Sequence, residues 1–304
     1  MFSTAVPAGA GSRLSALAPE QEVCRPVTEA IPTVGGNALS HPVQIIDIVF
    51  PGDTNHHGTL FGGVALAHMD KVAFLAASLH GRASFVTAAS EKIDFASPAH
   101  EGEMVEATGR IVRVGRSSID CEVELVAEAP VSGERRLCTR GRFTLVAAKD
   151  AGTRLPLPPL DDRPMAKPDG VLRMVDMVFP SQTNHYGTLY GGDALKLMGK
   201  AAFICATRHT RSVIVMASSE RIDFVSAIRT GEMVELASRV ESMGRSSVRV
   251  RVELWAENLL SGERRHAASA IFTMVSVDQD GRPKTIERGR SVVAGEAEGQ
   301  VCYV

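Results

Sequence analysis

Aromatic side chains are scarce in this chain: 1 Trp, 3 Tyr and 11 Phe make up 5% of its 304 residues. A surface that holds nucleic acid by stacking bases on aromatic rings is therefore excluded as a main theme. Charge of one sign is lacking as well. Lys and Arg number 33 against 35 Asp and Glu, a formal net charge of -2, so no global field draws in nucleic acid or an anionic membrane. No apolar run is long enough to span a bilayer. Cysteine occurs at 24, 121, 138, 205 and 302, an odd number without any CxxC spacing. That pattern points to reduced thiols in a cytoplasmic protein rather than to a disulfide framework. No Ser or Cys occupies a recognisable nucleophile elbow and no metal-ligand spacing occurs, so triad and zinc chemistry rank low.

What the chain does have is a repeat. Asp47 to Val146 matches Asp176 to Val275 at a constant offset of 129 (176 − 47), without a gap and with roughly half the positions identical. Thr54-Asn55-His56 answers Thr183-Asn184-His185, and Gly62-Gly63 answers Gly191-Gly192. Gly115-Arg116-Ser117-Ser118 answers Gly244-Arg245-Ser246-Ser247. A unit this long is a duplicated domain, not a solenoid repeat. The expected organisation is an irregular leader over 1–40, a first domain over 41–148, a Pro-rich linker over 149–170, a second domain over 171–280, and a fraying tail over 281–304. The leader leaves open whether it is a targeting signal.

Within one copy, Ile45 to Phe50 reads as a short strand and Pro51 to Thr59 as a turn-rich loop. Gly62 to about Leu79 is Ala-rich, apolar nearly all round and free of Pro, which predicts a buried helix. Extended segments follow over Phe85 to Phe95, Met104 to Val114, Ser118 to Glu128 and Arg135 to Ala147, with Ser132-Gly133 as a hairpin turn. One long helix with a run of antiparallel strands is an α+β layer arrangement.

The apolar helix carries one carboxylate its pattern does not explain, Asp70. A charge there must be paired, hydrated or raised in pKa, as a general base or nucleophile would be. The bland alternative is a surface pair with Lys71. The second copy breaks the symmetry: Gly199 stands at the equivalent position, between the matching Met198 and Lys200. An acid needed once per molecule fits that asymmetry. Asn55 and Asn184 could cap a turn or orient a water or a carbonyl oxygen. Gly62-Gly63 and Gly191-Gly192 open the helices, where free N–H groups can hold an oxyanion. Arg116, Ser117, Ser118 and their counterparts Arg245, Ser246, Ser247 suit a phosphate or form a plain hairpin.

The string PGDTNHHGTLFGGVALAHMDK resembles the signature of hotdog-fold acyl-CoA thioesterases, especially the double-hotdog cytosolic (brain-type) and broad-specificity bacterial acyl-CoA hydrolases. The resemblance covers both repeats. It implies a tandem hotdog, each a long central helix wrapped by an antiparallel sheet, and hydrolysis of fatty acyl-CoA to free acid and CoA without metal or cofactor. It also implies a homotrimer of double hotdogs and a place in lipid metabolism. Its active site lies between two hotdogs, which pairs Asp70 with Asn184 and leaves Asn55 with Gly199 as a vestigial site. The Arg-Ser-Ser loops become CoA-binding candidates. Asp193 lies six residues before Gly199, not a whole number of turns, and is not expected to substitute. A non-catalytic acyl-CoA sensor and a hydratase are the competing readings.

Overall fold

The computed structural model describes residues 42–148, 156–160 and 169–287. The leader and the end of the tail lie outside them. The first repeat runs β1 (Val43–Ile48), a 3-10 turn (Pro51–Asp53), α1 (Gly62–Gly81), β2 (Phe85–Ser90), β3 (Asp94–Phe95), β4 (Met104–Val114), β5 (Ser118–Glu128) and β6 (Arg135–Ala147). The second repeats it as β7 (Leu172–Met177), a turn (Pro180–Gln182), α2 (Gly191–Thr210), β8 (Ile214–Ser219), β9 (Asp223–Phe224), β10 (Met233–Met243), β11 (Ser247–Glu257) and β12 (Arg264–Ser276). Each sheet is antiparallel, ordered β1-β4-β5-β6-β2 and β7-β10-β11-β12-β8, with the short β3 or β9 added to β6 or β12. Each helix packs along the middle strands of its own sheet. This is the tandem hotdog.

Three strands coincide with the extended segments read from sequence. Phe85 to Phe95 does not form one strand. It breaks after Ser90, where the Glu91 N–H turns to the Arg142 carbonyl (2.9 Å). A bulge at Ala88 already disrupts the ladder between β2 and β6.

The helices meet their sheets with matched volumes. A Cβ on Gly109 of β4 would stand 2.6 Å from Val72 Cγ1 of α1. At the same place the second repeat carries Ser238 against Ala201, so volume lost from the helix returns on the strand.

Two segments outside the expected domains are anchored. Leu157, within the Pro-rich linker, packs on the first core beside Gly81, and the Pro158 carbonyl lies 2.9 Å from His80 Nε2. Ile286 sits 129 residues later. It is buried in the second core, its N–H donating to the Arg245 carbonyl (2.8 Å). The stretch read as a fraying tail therefore begins as a strap equivalent to the linker's start.

The two repeats share their cores across a seam between β1 and β7. Ile46 and Met104 of the first repeat, both fully buried, belong to the second repeat's core. Their counterparts Val175 and Met233 belong to the first repeat's core. Gln44 Nε2 donates to the carbonyl of Arg173, its own equivalent, so the pseudo-twofold axis passes there. Ion pairs follow the same symmetry: Lys71–Asp176 (2.8 Å) with Lys200–Asp47 (3.0 Å), and Arg82–Glu257 (2.6 Å) with Arg211–Glu128 (2.7 Å). Met104→Ala should cost about 2–5 kcal/mol by opening a cavity. The lone tryptophan, Trp255, lies in β11 of the other repeat. Its fluorescence in a urea titration should shift to lower denaturant, in the same transition as the far-UV signal.

Candidate active site

Asp70 lies half-buried on α1, and Thr87 Oγ1 of β2 donates to its Oδ1 at 2.6 Å. No cation pairs with it among the described residues. Lys71, the neighbour that would make Asp70 an ordinary surface pair, reaches the other way, to Asp176 and over the Phe179 ring (5.5 Å to the centroid). In the second repeat Gly199 replaces Asp70 and Met216 replaces Thr87. The Met216 methyl lies 2.8 Å from where a Cβ on Gly199 would stand. Acid and hydroxyl are thus lost together, and a thioether fills the space.

Both asparagines form Asx turns. Asn184 Oδ1 accepts from the N–H of Tyr186 (2.9 Å) and from the N–H and Oγ1 of Thr188 (3.3 and 3.1 Å). Asn55 Oδ1 accepts in the same way from His57 and Thr59. Their amide nitrogens differ. Asn55 Nδ2 donates to Thr59 Oγ1 (3.0 Å), whereas Asn184 Nδ2 has no partner among the described residues and is free to donate. No direct hydrogen bond joins Asp70 to Asn184.

The helix starts differ too. Phe61 and Tyr190 are the N-cap residues and offer no side-chain cap. The first N–H groups of each helix, on Gly62-Gly63 and Gly191-Gly192, have no intrahelical acceptor and carry the positive end of the helix dipole. Beside Gly191 the space is open, and it belongs to a cavity of about 330 Å³ lined by Thr188, Leu189, Gly191, Phe224, Val225 and Ile228. At Gly62 the half-exposed Phe95 ring stands 3.6 Å from the Cβ position, in ordinary van der Waals contact. Asp193 lies in the first turn of α2 and Gly199 in its middle.

The Arg-Ser-Ser loops are the β4–β5 and β10–β11 hairpins, closed by Gly115 N–H to the Ser118 carbonyl (2.7 Å) and Gly244 N–H to the Ser247 carbonyl (2.8 Å). Arg116 and Arg245 are exposed, and neither guanidinium has a partner among the described residues. Thr87, Thr188, Phe95 and Met216 were missed in the sequence. Thr87 and Met216 had a signal, since they differ between the copies in step with Asp70 and Gly199.

The model of the thioesterase superfamily matches this chain twice, over residues 57–134 and 186–262. The chain belongs to the thioesterase superfamily. Among solved thioesterase structures, it is similar to an acyl-CoA hydrolase from Agrobacterium tumefaciens. They share 51% identity at a TM-score of 0.75, over 81% of this chain and 98% of that one. The mouse cytosolic acyl coenzyme A thioester hydrolase is 25% identical over 82% of this chain and 77% of its own length. An uncharacterised acyl-CoA thioester hydrolase of Bacillus subtilis is 39% identical over 36% of this chain and 64% of its length. No helix among the described residues is long and apolar enough to cross a membrane.

Two residues before Asp70, His68 faces the seam, where Leu197 stands in the second repeat. Burial holds its imidazole below the ordinary range; Lys71 and Lys200 push the same way, against Asp47 and Asp176. A depressed folded pKa means the fold favours neutral His68. That stability is fully present above the unfolded value of about 6.5 and is lost as pH falls through the folded value. His68→Leu, which copies Leu197, should flatten the acid-side loss in denaturant titrations between about pH 7.5 and 5.

Proposed function

We propose that the two repeats, 41–148 and 171–280, form one catalytic unit that hydrolyses fatty acyl-CoA to the free acid and CoA, with a single competent site per chain. Asp70 activates water, or attacks the thioester carbonyl itself, and Thr87 orients its carboxylate. Asn184 holds the water or the substrate through its unengaged amide. The N–H groups of Gly191 and Gly192, with those of Gly62 and Gly63 as the weaker alternative, receive the oxyanion as the carbonyl carbon becomes tetrahedral. The C–S bond then breaks, Asp70 returns the first proton to the departing thiolate, and the water's second proton stays on the free acid or passes to solvent; if Asp70 attacks, the thiolate leaves first and water then hydrolyses the acyl–Asp70 anhydride. Arg116, Ser117, Ser118, Arg245, Ser246 and Ser247 are the candidates for the CoA phosphates, supported by their unpaired guanidinium groups.

The observation that carries the one-site reading is the concerted difference between the halves. Asp70 and Thr87 become Gly199 and Met216, the acid and its hydroxyl changing together. The site of Asn55 and Gly199 is then vestigial. Three buried thiols and relatives named cytosolic support a cytoplasmic setting in lipid metabolism.

A thiol-release assay over a panel of acyl-CoAs tests this reading. Asp70→Ala and Asp70→Asn should abolish turnover and leave CoA binding largely intact. Asn184→Ala should lower kcat by about 10²-fold, the scale of one lost orienting amide, while Asn55→Ala changes it little. Equal losses from the two Asn changes would remove the one-site assignment. Tight acyl-CoA binding without release would favour a sensor, and double-bond hydration a hydratase.

We propose further that the protein is a homotrimer. The sheet ends formed by β2 with β3 and by β8 with β9 expose Val86, Phe95, Val215, Met216 and Phe224 at 55%, 50%, 45%, 48% and 48%, and apolar side chains along such an edge suit burial against another chain. Sedimentation equilibrium should return three chains per particle, and Val86→Glu with Val215→Glu should return one.

A further inference from the structure

We propose that Lys71 is a positioning residue that fixes the Asp70 helix against the Asn184 loop, and that its mirror Lys200 has no such part. The proposal rests on the hydrolase reading above, because it concerns the placement of that reading's two reacting side chains.

The two lysines are equivalent by the repeat and make equivalent ion pairs across the seam, Lys71 with Asp176 and Lys200 with Asp47. Each aspartate is oriented in the same way, by the N–H of the residue that follows it (2.8 Å). As contributions to the seam they are alike, and half-buried pairs of this kind are worth little. They differ in what they are tied to. Lys71 follows Asp70, whereas Lys200 follows Gly199. The Lys71 ammonium also lies over the Phe179 ring, a contact Lys200 lacks among the described residues.

The strand that Lys71 grips leads into the Asn184 loop, and that stretch is braced throughout. The Val178 N–H donates to the Glu232 carbonyl (3.0 Å) and the Tyr190 N–H to the Gln182 carbonyl (2.9 Å). Gln182 Oε1 accepts from the Phe179 N–H (2.9 Å) and so locks the turn between Phe179 and Asn184. In the first repeat Asp53 replaces Gln182, and among the described residues no side-chain hydrogen bond caps that turn. A displacement at Asp176 and Phe179 is therefore handed on to Asn184. Between the reacting groups an error of about 1 Å can cost about 10²-fold in rate.

The experiment compares Lys71→Met, Lys200→Met, Asp176→Asn and Lys71→Arg in the full chain. Thiol release gives kcat and KM, and thermal unfolding gives Tm. Lys71→Met should lower kcat by about 10- to 100-fold with little change in KM. Asp176→Asn should do the same, and the double variant should lose no more than either. Lys71→Arg should recover most of the loss, because a guanidinium reaches the carboxylate and stacks on the ring. Lys200→Met should lower Tm by an amount comparable to, or slightly smaller than, that of Lys71→Met, which also loses its contact with Phe179, and leave kcat unchanged. Equal kcat losses from the two lysines, or full kcat in Lys71→Met, would overturn the clamp while an Asp70-dependent activity still stood. An active enzyme indifferent to Asp70→Asn would overturn the Asp70 assignment and the clamp with it, whereas a protein that releases no thiol would overturn the hydrolase reading itself.

Discussion

The exchange of core side chains across the β1–β7 seam is the constraint on which everything else depends. Ile46 and Met104 complete one core while Val175 and Met233 complete the other. Each such side chain, fully buried, is worth about 1.5–3 kcal/mol. The half-buried ion pairs alongside contribute about 1 kcal/mol or less each. Apolar exchange therefore supplies the adhesion. The charges contribute register, since Lys71 and Lys200 must each find an aspartate that only one alignment of the halves presents. Register is what fixes the helices and loops of one half against those of the other.

Backbone geometry at the helix ends follows the same logic. Arg82 and Arg211 end α1 and α2 with positive φ, 46° and 50°, where glycine would be the easy choice. A non-glycine residue there costs about 1–2 kcal/mol. Both copies keep arginine because its side chain crosses the seam. Arg82 bonds Glu257 and lies against the Gly262 turn, and Arg211 bonds Glu128 and lies against Gly133. The two ends are no longer identical. Arg208 adds a third arginine to Glu128, which already holds Arg135 and Arg211, and the first repeat has Leu79 in its place. Burial raises the Glu106 carboxyl in this cluster, but Arg208 and Arg135 outweigh it and hold it below its usual range.

Much of this was legible in the sequence, because a duplicated chain is its own alignment. The constant offset established the repeat, the helices and three long strands, and it isolated Asp70 by setting it against Gly199. The break after Ser90 was hidden because Phe85 to Phe95 has strand-like composition throughout, and only the bulge at Ala88 and the turn of Glu91 interrupt it. Leu157 was hidden because a single leucine among prolines gives no periodicity. The partner of Lys71 was hidden because Asp176 is distant in sequence and near only through the seam. Thr87 was within reach, since it changes with Asp70, but nothing in one strand's pattern ties it to a helix residue.

Met216 sets the two halves apart. Its methyl occupies the volume an aspartate at 199 would need. An aspartate there would have to turn that half-exposed thioether aside, and it would find no hydroxyl at 216 to receive a hydrogen bond from. At this one equivalent point the two halves carry different chemistry, a carboxylate held by a hydroxyl in one and a packed thioether in the other, so a substitution neutral in one half need not be neutral in its twin.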